Sequence, residues 1–432
     1  MAVEEENVMT SPESSVPATG VPWVSRARTR CILASIVAVT LLGGLVVVEI
    51  GFRLFVPVTD VPFVFWDPVV GLRREPNQRG RNISGRSINA SFNINAQGWN
   101  HHVDYETTRP SGTVRVCLVG DSQVEGRQVD LEKRIPYVAE QLMSRPDRPV
   151  QWYSFGCAGL GTSQEYEVIR HYVLDYNPDL VILLYVQNDP FDCSPYLLRM
   201  EQRVPVYYLD ENDDLQLIPA GLWKPSLWRR TLAQSALVRY FVIQRRVFQG
   251  FRPGGAKRAD VRAGGLPLRE EVEAIDDPRI PGLVGMSMED RHKQTWALTE
   301  VLIKSMRNAC RDKGAEFALA FRGWPDDIDE PIHHTASKTP PADDDPYCLT
   351  DARVSRMGPE IIEPMARRND IPYLDLTDPL RKAVAESGTP HRFVDDNHYN
   401  ELGHHAAAAA MAEWAEKVLL PKATERLSAA RP

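Results

Sequence analysis

Apolar residues fall in two kinds of run along this chain. The first is one long stretch, Cys31 to Ile50 (CILASIVAVTLLGGLVVVEI), with Glu49 as its only charge. About 20 such residues suffice to cross a bilayer as a helix. A helix that is apolar all round can instead be a core helix, but the Ser/Pro/Glu-rich tail ahead of this one reads as disordered. Arg26, Arg28 and Arg30 precede the run and only Arg53 closely follows it. The positive-inside rule then leaves the N-terminus in the cytoplasm and puts everything beyond about residue 55 outside. A cleaved signal peptide usually has a shorter apolar core, and no small-x-small site follows Val48.

The second kind of run is short and repeated. Val114–Val119, Val150–Ser154, Leu180–Tyr185, Phe317–Phe321 and Tyr373–Asp375 read as strands. Between them lie helical patterns at Arg134–Met143, Ser163–Asp175, Thr295–Lys313 and Pro359–Arg368, and Ala406–Leu419 closes the series. Alternating strands and helices predict an α/β domain with a parallel sheet and helices on both faces. Residues 1–30 are read as a disordered cytoplasmic tail and 31–55 as a transmembrane anchor. Residues 56–112 are an irregular extracytoplasmic lead-in, in which Ser91–Trp99 alternates briefly and turns at Gly98. Residues 113–420 form the domain and 421–432 a flexible tail.

An insertion at about 193–290 is too long for a bare connection. Val204–Leu217 predicts a hairpin around Glu211-Asn212-Asp213-Asp214. Ser226–Phe248 predicts a basic amphipathic helix with Arg229, Arg230, Arg239, Arg245 and Arg246, either a solvated face or a contact with an anionic bilayer. Residues 250–285 are Gly/Pro-rich and read as a mobile loop.

The formal net charge of −8 gives no basic patch for nucleic acid. None of the six cysteines shows metal spacing. Cys117 and Cys310 fall on core elements, while Cys193 and Cys348 fall in loops and are candidates for a disulfide if the domain is exported.

Candidate chemistry lies just past the strands' carboxyl ends, the edge where open α/β sheets bind ligands. Gly120-Asp121-Ser122 follows the first strand and offers a serine hydroxyl. Gly156-Cys157-Ala158-Gly159-Leu160-Gly161 follows the second and offers backbone donors. Gln187-Asn188-Asp189 follows the third and offers an amide. His398 is the candidate base in Val394-Asp395-Asp396-Asn397-His398. Asp395, three residues ahead, can reach the imidazole within one turn of loop or helix, and Asp396 is the alternative partner. Serine-based acyl transfer needs these four parts: nucleophile, base, orienting group and oxyanion donors. His404 and His405 read as the start of the last helix. His333 and His334 sit in an acidic, solvated loop with Asp326, Asp327, Asp329 and Asp343–Asp345, without metal-ligand spacing. Arg322, at the end of the fourth strand, is a candidate to bind an acidic substrate group.

From Val114 to Met411, outside the insertion, the chain resembles the SGNH (GDSL) hydrolases. The family's four letters map onto Ser122, Gly159, Asn188 and His398, in the right order and each after the right strand. The Asn93…Gly98 stretch looks like the lead-in of membrane-anchored bacterial members. Gln187 stands where many members have glycine, and Gln123-Val124-Glu125 where small or hydroxyl residues are commoner. The resemblance implies a flavodoxin-like three-layer α/β/α sandwich with sheet order 2-1-3-4-5. It implies Ser122 as nucleophile, His398 as base held by Asp395, and an oxyanion hole from the Ser122 and Gly159 N–H groups with the Asn188 side chain. No metal or other cofactor is implied. The expected activity is carboxylic ester hydrolysis through an acyl-enzyme, on acylated envelope carbohydrate or lipid. O-acyl transfer to an envelope polysaccharide and a catalytically relict binding protein are the alternatives. The expected location is a single-pass membrane protein with its catalytic domain extracytoplasmic, periplasmic in a bacterium.

Overall fold

In a computed structural model the chain divides into two units, residues 1–56 and 57–432. The structure describes residues 23–192, 194–197, 204–222, 224, 226–245, 247, 279–333, 357–393 and 396–421. The expected tails at 1–22 and 422–432, most of the 250–285 loop, His334, Asp343–Asp345 and the Cys193/Cys348 pair lie outside the described residues.

The first unit is a helix, Trp23–Phe55. Its Arg28–Phe55 portion is long and apolar enough to cross a membrane. Near its end Arg53 Nε pairs with Glu49 Oε1 at 2.7 Å, one turn apart.

The second unit opens with two antiparallel hairpins, β1 (Val64–Asp67) with β2 (Gly71–Arg74) and β3 (Gln78–Ser84) with β4 (Ile88–Ile94). This corrects the expectation of an irregular lead-in. β4 buries every second residue, Ile88, Ala90, Phe92 and Ile94, which is the alternation of a half-buried strand. β3 (QRGRNIS) has no such alternation. It is held by its backbone ladder and by cross-strand pairs such as Arg79 Nε to Asn93 Oδ1 at 2.8 Å and Arg81 Nε to Asn89 Oδ1 at 3.0 Å.

The main sheet contains β5 (Val114–Gly120), β6 (Val150–Gly156) and β7 (Leu180–Tyr185). The insertion adds a separate hairpin, β8 (Val206–Leu209) with β9 (Leu215–Ile218). The sheet resumes with β10 (Glu316–Phe321) and β11 (Tyr373–Asp375). All five sheet strands are parallel, in the order β6-β5-β7-β10-β11, the 2-1-3-4-5 arrangement the resemblance implies. Cys117 and Val119 of β5 face a core shared with Val168 and with Ile303 and Met306 of helix Met288–Asp312. Val116 and Leu118 face the opposite core, with Ile135 and Ala139 of helix Ile135–Met143 and Met411 of helix Glu401–Trp414. Burial on both faces explains why β5, β7 and β10 read as largely apolar runs. β5 lies where the strand order reverses, the place for a ligand crevice in an open α/β sheet.

Two further expectations change. The segment around Asp326 is a helix, Pro325–His333, rather than a solvated loop. Asp329 on it is fully buried, accepting from His391 Nδ1 at 2.6 Å and Arg392 Nε at 2.9 Å. The single helix expected over Ser226–Phe248 is instead two pieces, Leu227–Ala233 and the run 236–244, whose second part widens at Arg239–Gln244. Ser235 restarts the helix by accepting the Val238 N–H at 3.3 Å, the local competition that makes serine a cap rather than a helix-interior residue.

Candidate active site

The strand-to-helix turn after β5 sets the first group. Asp121 accepts the Gln123 N–H at 2.9 Å and caps the short helix Ser122–Glu125. Gly156, at the end of β6, packs against this turn so closely that an added Cβ would overlap the Glu125 and Val124 backbone. The turn holds Ser122 half-exposed at the sheet's carboxyl edge. Its Oγ lies 2.8 Å from His398 Nε2 and 3.2 Å from Asp121 Oδ2.

His398 sits on β13 (Asp396–Tyr399), which pairs antiparallel with β12 (Arg392–Phe393). Asp396 Oδ1 is hydrogen-bonded to His398 Nδ1 and also accepts the His398 N–H at 3.0 Å. Asp395, expected in that position, lies outside the described residues, and the carboxylate on the imidazole is that of Asp396. The reason lies in the element. Residues i and i+2 of a strand share a face, whereas the three-residue spacing supposed one turn of loop or helix. Burial works against ionisation of Asp396, but the hydrogen bond and charge of His398 outweigh it and hold the carboxyl below its ordinary value.

The β12–β13 hairpin is pinned on both sides of His398. Gln123 Oε1 accepts the Tyr399 N–H at 3.1 Å, and Gln123 Nε2 donates to the Asn397 carbonyl at 3.3 Å. Arg322 donates to the same carbonyl, with its guanidinium 5.0 Å from the Tyr399 ring centre. Arg322 is therefore buried with its guanidinium on a backbone carbonyl, and does not present itself to the acidic substrate group expected from the sequence.

Gly159 and Asn188, the expected oxyanion donors, follow β6 and β7 at the same sheet edge. Gly159 has φ +85, and an added Cβ there would meet nothing within 4 Å; the backbone conformation, not crowding, asks for glycine. The turn before it is fixed by Glu125, whose Oε2 accepts the Ala158 N–H at 3.0 Å. The buried Glu125 carboxylate is flanked by Arg74 Nε at 2.7 Å and Arg127 Nε at 3.1 Å. Burial raises its pKa, but the two arginines prevail and bring it down to about 2. Arg74 comes from β2 and Asn100 Nδ2 donates to the Glu125 carbonyl at 2.8 Å, so the lead-in braces the turn. Asn188 Nδ2, after β7, donates to Asp192 Oδ2 at 2.7 Å and lies 3.5 Å from Asp121 Oδ2. Gln187 Nε2 donates to the Gly323 carbonyl, which ties the end of β7 to the end of β10.

Behind these groups lie two fully buried carboxyls. Neither oxygen of Glu165 has a hydrogen-bond partner among the described residues, and Asp189 is bonded through Oδ2 alone, to the Val186 N–H at 2.6 Å. Burial first, then the charges of Asp121 and Asp192, push the Glu165 pKa well up, and burial with the Glu165 charge does the same for Asp189. Among the described residues no group of three or more His, Cys, Asp or Glu is arranged to hold a metal.

The sequence reading missed Gln123, Glu125 and Arg74. The one available signal was the departure of Gln123-Val124-Glu125 from the commoner pattern after the serine.

No protein-family model matches this chain, and no curated protein does. Solved structures do. Esterases and acylhydrolases are among the structures to which it is similar. An acetyl xylan esterase is 14% identical over 71% of this chain and 100% of its own, with a TM-score of 0.35. A GDSL-like lipase from Bacteroides thetaiotaomicron is 14% identical over 70% of this chain and 88% of its own, at 0.31. A putative acylhydrolase from Bacteroides fragilis is 12% identical over 71% and 88%, at 0.32.

Proposed function

We propose that this chain is a serine-dependent carboxylic ester hydrolase, held at a membrane by its N-terminal helix with the catalytic domain on the extracytoplasmic side. The observation that carries the reading is the continuous link from Ser122 Oγ through the His398 imidazole to the Asp396 carboxylate. Ser122 Oγ attacks the ester carbonyl while His398 Nε2 takes its proton, and Asp396 balances the imidazolium that forms. The negative oxygen of the tetrahedral intermediate receives the Ser122 and Gly159 N–H groups and the Asn188 amide. Collapse breaks the bond to the alcohol, which leaves with the proton from His398. Water then repeats the sequence on the acyl-enzyme, releasing the acid and restoring Ser122. Every proton has a donor and an acceptor among these residues and the substrate. If a sugar hydroxyl enters in place of water, the same intermediate gives O-acyl transfer.

The test is covalent. A fluorophosphonate should label the wild-type protein and fail to label Ser122→Ala, which should also lose hydrolysis of p-nitrophenyl acetate. Equal labelling of the two would overturn the assignment. Product analysis with a sugar acceptor present separates hydrolysis from transfer.

A further inference from the structure

Part of the insertion is charged opposite to the rest of the protein. Between Leu215 and Ala259 the chain has nine lysines and arginines and no aspartate or glutamate, although its net charge is −8. Within that run large apolar side chains face outward: Leu222 is 70%, Leu227 81%, Trp228 69% and Val247 58% exposed. Single exposed apolar residues are ordinary on any surface. Leucine and tryptophan interleaved with arginine are the composition of a segment lying in a membrane interface, and tryptophan favours the headgroup level.

The run is fastened to the residues that directly follow the N-terminal helix. Gln244 Oε1 accepts the Thr59 N–H at 3.0 Å, and Gln244 Nε2 donates to the Pro57 carbonyl at 3.3 Å. Arg239 pairs with Asp60 and donates to the Thr59 carbonyl at 3.2 Å. Arg230 holds both Glu75 carboxylate oxygens, at 2.5 and 2.7 Å, and lies 4.8 Å over the Phe63 ring. Trp66 Nε1 donates to the Gly221 carbonyl at 2.9 Å. Thr59 is four residues beyond Phe55, the last residue of the helix. Covalent reach alone therefore keeps it within about 14 Å of the helix end, and Gln244 travels with it.

We propose that residues 221–247 rest on the surface of the anionic bilayer that the N-terminal helix enters, with Leu222, Leu227 and Trp228 set into the headgroup layer. Glu75 and Asp60 neutralise Arg230 and Arg239; Lys224 and Arg245, both exposed, meet lipid phosphates. Exposure and charge then select one partner, since apolar side chains ringed by cations suit a surface that is itself both apolar and negative. The proposal rests on the helix being retained as an anchor, and its test reads that separately.

Full-length protein is reconstituted into vesicles of brominated phosphatidylglycerol or brominated phosphatidylcholine, and tryptophan quenching is measured. Wild type should lose an emission component that Trp228→Phe lacks, and the component should be larger in phosphatidylglycerol. Combining Lys224→Gln, Arg245→Gln and Arg246→Gln should reduce it to the phosphatidylcholine level. Trp228 is exposed, so its replacement does not threaten folding. Flotation of the vesicles reports the anchor independently. Equal fractional quenching of wild type and Trp228→Phe, with flotation intact, overturns the surface contact. So does an unquenched Trp228 accompanied by cross-linked pairs, the result expected if a second copy covers this face. A component of the same size in both lipids overturns the role given to lipid charge.

Discussion

Asp396 uses one oxygen for two bonds, to the His398 ring and to the His398 backbone N–H. The first orients the imidazole and the second fixes the carboxylate that does so. Asp396→Asn keeps the volume and removes the charge facing the imidazolium, so turnover should fall on the order of 10³–10⁴-fold with little change in KM. Asp395→Asn should be mild by comparison. Steady-state kinetics with melting temperatures on both variants decides between the two carboxylates; the reverse ranking would return the role to Asp395. Ser122, Gly159 and Asn188 could be placed at one sheet edge because each follows a strand that its own apolar pattern announces; His398 follows no such strand and was reached through the order of the motif blocks. The carboxylate was not legible, because the choice between two adjacent aspartates depends on whether their segment is a turn or a strand. Nothing in Val394-Asp395-Asp396-Asn397-His398 has the alternation of a half-buried strand.

Among elements, the helix Ser122–Glu125 is the hub. One of its side chains grips the hairpin that bears His398, and another grips the turn that bears Gly159. Both act through backbone groups on distant parts of the chain, so no local pattern marks them. Four strands of the main sheet, β5, β6, β7 and β10, could be read from the sequence because burial on both faces makes them largely apolar, and the half-buried edge strand β11 from its place in the alternation; β3 could not, since it is polar and lives on its ladder. Glu125→Gln leaves Arg74 and Arg127 facing each other in a buried place. The cost should be about 3–5 kcal/mol of stability, seen as a lower melting temperature, together with reduced kcat as the Gly159 turn loosens. The sign with pH follows from a folded value of about 2 against an ordinary 4.5. The stabilisation is complete above about pH 4.5 and is lost as pH falls toward 2. The variant's deficit in melting temperature should therefore shrink across that window, and a deficit that stays constant would remove Glu125 from the account.

At the scale of the whole molecule, the arginines ahead of residue 31 set the expected topology. An alkaline phosphatase reporter fused after residue 120 should be active in bacterial cells, with the protein remaining in the membrane fraction; an inactive reporter would reverse the orientation. In that proposed orientation the domain has no cytoplasmic pH control around it, which gives the two buried carboxyls behind the site a consequence of their own. Glu165, with a pKa raised well above its ordinary value, takes a proton into the fold that the unfolded chain gives up above about pH 4.5. That proton is a structural component, as stoichiometric as a bound ligand, and its free concentration falls tenfold with each unit of pH. Stability should accordingly decline by about 1.4 kcal/mol per pH unit for each proton so held, from about pH 4.5 up to the folded pKa. Denaturation midpoints measured at rising pH should show the slope, and Glu165→Gln, which supplies the neutral form permanently, should flatten it. In the proposed orientation the medium beyond the membrane becomes a component of the protein's own equilibrium, and alkalinity acts on it as dilution acts on a weakly held cofactor.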